Sequence, residues 1–102
     1  MINKYGVSDA NWQRIIKIFM QQSSVERVVL FGSRAKGNYR DGSDIDLCLY
    51  GNISLAQTYI LQDLLDDLML PYKFDLIVYN TINNPELIEH IERVGVALYT
   101  KE

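Results

Sequence analysis

The chain has 102 residues, of which 48% are hydrophobic and 23% are charged, with a net charge of −3. This length suits one domain over residues 1–102. The net negative charge argues against a protein that binds nucleic acid on its own, because neutralising phosphates needs an excess of Lys and Arg. The single cysteine excludes an internal disulfide, and no apolar run approaches the roughly 20 residues of a membrane span, so a cytoplasmic protein is expected.

The first half of the chain is predicted to form a helix and two strands. Ser8 is placed to cap a helix in which apolar side chains from Trp12 to Phe19 recur at helical spacing. The run ERVVLF at 26–31 is β-branched and aromatic and ends at a glycine, which predicts a buried strand. The run SDIDLCLY at 43–50 predicts a second strand.

The second half is predicted to form a helix, a strand and a further helix. Ser54 opens a capping box for the first of these helices, and Pro71 is expected to end it. The run KFDLIVY at 73–79 predicts a third strand. Asn84 is placed to cap the last helix and Gly95 is expected to stop it. A short extended tail follows. This order predicts an α/β (α+β) fold with a small mixed sheet and helices packed on one face.

Residues 31–47, FGSRAKGNYRDGSDIDL, contain two aspartates separated by one residue. Alternate side chains of a strand share a face, so Asp44 and Asp46 are expected to project together. Two neighbouring carboxylates repel each other unless a cation lies between them, and Mg²⁺ is the usual cation for oxygen ligands. Asp75, an acid in an otherwise apolar strand, is placed to supply a third carboxylate.

The same segment begins with a Gly-Ser turn. Gly32 follows a buried strand, where glycine lets the backbone turn tightly and approach a ligand. If a short helix begins at Ser33, its N–H groups and the serine hydroxyl face a phosphate, and Arg34, Lys36 and Arg40 are placed to balance triphosphate charge. The turn and the three acids together predict a site for a nucleoside triphosphate and two metal ions.

This motif resembles the signature of the nucleotidyltransferase superfamily that includes DNA polymerase β, and most closely its minimal nucleotidyltransferase (MNT) branch. The family pattern is a strand, Gly-Ser, about ten residues and Asp-x-Asp, with a third acid on a later strand. Ten residues separate Ser33 from Asp44 here. The resemblance implies a polymerase β palm-like fold in which Gly32 and Ser33 hold the triphosphate, Asp44 and Asp46 bind metal, and Asp75 is a ligand or general base.

The resemblance also implies a partner. Minimal nucleotidyltransferases of this size are typically encoded beside a small helical HEPN protein, with which they form a toxin–antitoxin pair. The expected reaction is a Mg²⁺-dependent transfer of AMP from ATP to a tyrosine of the HEPN toxin. The predicted core accounts for nearly every residue of the chain, so an acceptor site supplied by another chain is expected. A homodimer is the other assembly considered.

Two other functions remain open from the sequence. The protein could act as an antitoxin by binding alone, with a vestigial nucleotide site, or transfer a nucleotide to a small molecule or RNA end. Asp75 could instead form a salt bridge, for example to Lys73 or Arg34. His90 is interpreted as an exposed helical residue and Cys48 as packing below the site.

Overall fold

The structure, a computed structural model, describes residues 5–102. Its elements in chain order are α1 (Asp9–Met20), β1 (Val25–Phe31), α2 (Gly32–Lys36), β2 (Ile45–Gly51), α3 (Leu55–Asp66), β3 (Phe74–Val78), a 3₁₀ turn (Tyr79–Thr81), α4 (Pro85–Val94) and β4 (Val96–Thr100). Among these residues no helix has the length and apolar character needed to cross a membrane.

The helix boundaries follow local side-chain chemistry. Ser8, Ser54 and Asn84 each accept a hydrogen bond from a first-turn backbone N–H, at 3.2, 3.1 and 3.0 Å, which confirms the three predicted caps. α3 ends at Asp66, earlier than the stop that Pro71 predicted. A left-handed turn between these two residues, at Met69 (φ 57°), leads the chain away from the helix axis.

The four strands form one mixed sheet in the order β3-β2-β1-β4. β1 is antiparallel to both of its neighbours, whereas β2 and β3 are parallel and are connected through α3. The mixed sheet is as predicted. The extended tail after α4 is its fourth strand, and Thr100 lies beside Arg27 at this edge of the sheet.

The helices cover both faces of the sheet, so their expected placement on one face is wrong for α4. α1 and α3 pack over the main core, which includes Leu30 and Leu47. Val29 and Cys48 alternate with these residues along the strands and therefore face the other way, where Ile91 of α4 covers them. Exposure of this second apolar patch to water would be unfavourable, and the packing of α4 over it excludes the water.

The face under α4 carries side chains in three rows across β1, β2 and β3. The strand registers define these rows as Phe31–Asp46–Asp75, Val29–Cys48–Ile77 and, with Tyr79 just beyond β3, Arg27–Tyr50–Tyr79. The first row lies at the end of β1, where α2 begins, so the Gly-Ser turn meets the acidic residues there.

Candidate active site

Three aspartates lie at the end of the sheet where β1 runs into α2. Asp46 on β2 is in register with Asp75 on the parallel strand β3, and Asp44 lies just before β2. Burial and the charges of Asp75 and Asp44 raise the pKa of Asp46 to about 6, against a lowering by Arg34. The structure therefore brings the three predicted acids together closely enough for their charges to interact.

The Gly-Ser turn is pressed against the middle carboxylate. Gly32 has φ 74°, and a Cβ atom at this position would lie 2.1 Å from Oδ2 of Asp46. Both the left-handed backbone and the lack of space exclude a side chain. Glycine thus lets the first residue of α2 lie directly against the Asp46 carboxylate.

Ser33 and Lys36 remain accessible for a ligand. Ser33 is half-buried, and its hydroxyl makes no hydrogen bond to another residue of the part of the chain that the structure describes. Lys36 is exposed at the last position of α2, and Arg40 is exposed in the following loop. The predicted short helix near Ser33 is confirmed, with its first residue at Gly32.

Arg34 is turned inward and is only 2% exposed. Its Nε and Nη2 donate to the Ser43 carbonyl at 3.1 and 2.8 Å, and its Nη1 donates to the Tyr5 carbonyl at 2.8 Å. The rings of Tyr39 and Tyr72 lie 5.2 and 4.9 Å from the guanidinium carbon. These contacts favour a positioning role for Arg34 over the triphosphate contact expected from the sequence.

The residue that Arg34 holds directly precedes the first aspartate. Ser43 is fixed a second time, because its hydroxyl accepts a hydrogen bond from the Arg40 N–H at 2.9 Å and its own N–H donates to the Arg40 carbonyl at 3.0 Å. The loop between α2 and β2 therefore ends at an anchored residue. Asp44 is exposed, but the backbone that carries it is tied to the interior.

His90 on α4 also reaches the turn, which the sequence analysis missed. Its Nε2 accepts a hydrogen bond from the Gly32 N–H at 3.2 Å, and its ring meets that of Phe31 edge-on, with centroids 6.2 Å apart. The side chain is half-buried, so its interpretation as an exposed helical residue is wrong. No local signal marks it, because its neighbours Glu89 and Glu92 belong to an ordinary charged helix surface.

Comparison with known protein families identifies the family to which a chain with this turn and these aspartates belongs. The profile of the polymerase β nucleotidyltransferase family matches residues 13–102. The chain belongs to this nucleotidyltransferase family. Two similar proteins, both from Methanocaldococcus jannaschii and both named as protein adenylyltransferases, are 38% and 37% identical over 78 residues, which cover 74% of this chain and 79% of each relative.

Solved structures share the fold of this nucleotidyltransferase. A chain of a toxin–antitoxin complex with AMP-PNP superposes with a TM-score of 0.74 at 21% identity, covering 90% of this chain and 75% of the other. A chain from the complex of tri-AMPylated Shewanella oneidensis HEPN toxin with MNT antitoxin gives 0.69 at 19% identity, covering 90% and 71%. The predicted nucleotidyltransferase fold is thereby confirmed.

Cys48 and Asp75 lie next to Asp46 in the sheet, one of them buried and the other exposed. Cys48 lies one row below Asp46 and is fully buried, so it packs as predicted. Burial also raises the pKa of its thiol to about 11, which disfavours the thiolate. Asp75 is exposed, and no Lys, Arg or His side chain of residues 5–102 lies within ion-pair distance of it. The salt bridge considered for it is absent from this region.

Asp44, Asp46 and Asp75 fit the Mg²⁺ ions that the family implies through the chemistry of their carboxylate oxygens. Within residues 5–102 no group of three acidic, histidine or cysteine side chains is arranged to hold a metal ion. Besides burial, the negative charges of Asp75 and Asp44 nevertheless repel that of Asp46 and raise its pKa. A hard divalent cation relieves such repulsion, and carboxylate oxygens are the ligands it prefers.

Proposed function

We propose that this protein is a Mg²⁺-dependent nucleotidyltransferase that moves AMP from ATP to a tyrosine of a partner HEPN toxin, and so acts as its antitoxin. The observation that carries the proposal is the meeting of the Gly32–Ser33 turn with Asp44, Asp46 and Asp75 at one end of the sheet. It is supported by relatives named as protein adenylyltransferases and by structural neighbours from toxin–antitoxin complexes.

The triphosphate would lie against the turn. Ser33 offers a hydroxyl without a partner among the described residues, and Gly32 leaves room for close approach of the backbone. Lys36, exposed at the end of α2, is available to offset phosphate charge. Asp44, Asp46 and Asp75 would hold two Mg²⁺ ions, which neutralise the triphosphate and the leaving pyrophosphate when bound.

Transfer requires one bond to form and one to break. The hydroxyl oxygen of the acceptor tyrosine attacks the α-phosphorus of ATP, an O–P bond forms, and the bond to the pyrophosphate oxygen breaks. Asp75, besides helping to hold Mg²⁺, would take the acceptor proton, because its carboxylate is exposed and forms no ion pair with a Lys, Arg or His side chain of residues 5–102. The products are the AMP-modified acceptor and pyrophosphate.

The approach of a protein acceptor is favoured by the position of β3. This strand is an edge of the sheet, and α4 packs over β1 and β2 without enclosing Asp75. The acceptor side of the site is therefore open, as a large substrate requires. The predicted dependence on a second chain, the cytoplasmic location and the possible homodimer remain parts of this proposal.

The decisive experiment measures the intact mass of both chains. The protein is purified with the helical HEPN protein encoded beside it, incubated with ATP and Mg²⁺, and compared with Asp46→Asn under the same conditions. We expect the partner to gain one or more AMP units with the native protein and none with the variant, and peptide mapping to place them on tyrosine.

Two other outcomes would redirect the assignment. Unmodified masses in a stable complex, together with equal toxin neutralisation by an Asp44→Asn/Asp46→Asn variant, would establish an antitoxin that works by binding alone. Labelled RNA or a labelled small molecule, with no labelled protein, would establish a different acceptor. Either result contradicts transfer to a protein.

A further inference from the structure

We infer that His90 is a positioning residue of the nucleotide site, acting through the backbone of Gly32. This inference rests on the proposed nucleotidyl transfer and adds to it an element outside the family motif. Its basis is the hydrogen bond that the Gly32 N–H donates to Nε2 of His90 at 3.2 Å, across 58 residues of sequence.

Gly32 is constrained on two sides. At its Cα the Asp46 carboxylate leaves no room for a side chain, and at its N–H the His90 imidazole receives the hydrogen bond. A left-handed glycine has wide conformational freedom, so the turn needs such contacts to keep one geometry. Removing His90 releases the N-terminal side of the turn while the Asp46 side stays in place.

His90 is itself held by packing from two directions. Its ring meets Phe31, the residue before Gly32, nearly perpendicularly at 82°. The next residue, Ile91, is 1% exposed and is buried against Val29 and Cys48. The imidazole is thus carried by a docked helix, which presents Nε2 to the turn as a hydrogen-bond acceptor.

The hydrogen bond to His90 also gives the two donors of the turn, the Gly32 N–H and the Ser33 hydroxyl, different roles. The Gly32 N–H is engaged by His90, whereas the Ser33 hydroxyl has no partner among the described residues. In this arrangement the imidazole orients the turn and the next residue meets the phosphate. His90 therefore acts on nucleotide affinity through the geometry of the turn, and it has no part in the transfer of AMP itself.

The test compares His90→Gln with His90→Leu in steady-state adenylylation and in binding of a non-hydrolysable ATP analogue with Mg²⁺. Glutamine places an acceptor oxygen near the position of Nε2, whereas leucine fills the space without an acceptor. We expect His90→Leu to raise KM for ATP and the dissociation constant of the analogue about three- to tenfold with little change in kcat, the usual effect of one lost hydrogen bond. His90→Gln should restore values close to those of the native protein.

The control is Glu89→Ala, the adjacent exposed position on α4, whose partner is Arg93. Its nucleotide affinity should equal that of the native protein. Native-like affinity in His90→Leu, or equal defects in the leucine and glutamine variants, would overturn the inference. If His90→Leu does not fold, His90→Phe provides the variant without an acceptor. Failure of the native protein itself to bind the ATP analogue would instead contradict the proposed function.

Discussion

The folded protein disfavours the ionised form of the Asp46 side chain. Its folded-state pKa is raised from 3.8 to about 6 by burial and by the charges of Asp75 and Asp44. Between these two values the folded protein binds the proton more tightly than the unfolded chain, so stability falls as the pH rises through this window. At neutral pH the fold therefore carries an ionised carboxylate that its surroundings disfavour.

Replacing Asp46 with Asn should stabilise the protein in the absence of metal at neutral pH. We expect a gain of about 1 kcal/mol at pH 7.5, after allowance for solvent screening, or roughly 5 °C in the thermal midpoint, and no difference below pH 4. Thermal unfolding with and without Mg²⁺ checks this, because Mg²⁺ should raise the midpoint of the native protein alone. Asp63→Asn on the exposed surface of α3 is the control and should show neither effect.

Gly32 and Gly37 form a matched pair for testing the turn. Both have positive φ, 74° and 91°, but a Cβ atom at Gly32 meets Asp46 at 2.1 Å whereas one at Gly37 meets nothing within 4 Å. Gly37→Ala should cost about 1 kcal/mol for its backbone and keep activity. Gly32→Ala should lower kcat/KM at least tenfold by displacing Asp46, and equal activity of the two variants would contradict this reading of the turn.

The sequence predicted the site residues that lie together in one motif. It missed contacts between residues that are far apart in the sequence. Gly32, Asp44 and Asp46 lie in one motif with a fixed spacing, so their meeting follows from a strand–turn–strand path. Arg34 lies in the same motif, and although Ser43 accepts two of its hydrogen bonds, a third goes to the carbonyl of Tyr5, 29 residues away. His90 belongs to another helix, and nothing near it in the sequence points to Gly32.

The loop between α2 and β2 depends on the side chain of Arg34. Arg34→Met keeps most of the buried volume but leaves the Ser43 and Tyr5 carbonyls without their donor. We expect a loss of about 2–4 kcal/mol, because unsatisfied buried acceptors are costly. Denaturant unfolding measures the loss, and hydrogen exchange should accelerate first in residues 37–44.

Lys36→Met provides the control on the same helix. Lys36 is exposed and makes no hydrogen bond or ion pair with another described residue, so its replacement should change stability by less than about 0.5 kcal/mol. Similar losses in the two variants would show that Arg34 does not anchor the loop.

The placement of α4 shows what periodicity leaves undetermined. The apolar spacing of a helix tells which of its sides is buried, but not which face of a sheet it covers. Here the deciding residues are Val29 and Cys48, which point away from the main core and require a cover of their own. β4 was similarly visible only as an extended run, because its partner β1 lies far away in sequence.

The whole molecule carries a net charge of −3, and its open site is lined by three aspartates. A polyanion therefore finds no general attraction to this surface. We expect no measurable binding of a single-stranded RNA at about 150 mM salt in fluorescence anisotropy, where surface charges are screened beyond about 8 Å. Micromolar binding that weakens with added salt would contradict this and favour a nucleic-acid acceptor.

The burial of Cys48 gives the molecule a practical property. This thiol, the single cysteine of the chain, is inaccessible and its pKa is raised to about 11, so maleimide reagents should leave it unmodified in the folded state. Glu102 is exposed two residues beyond Thr100, which pairs with Arg27, and therefore lies about six strand residues, or roughly 20 Å, along the sheet from the row that contains Asp46 and Asp75. A cysteine introduced at Glu102 would accept one fluorophore at the opposite end of the sheet, and partner binding could be followed by energy transfer without removing the native thiol.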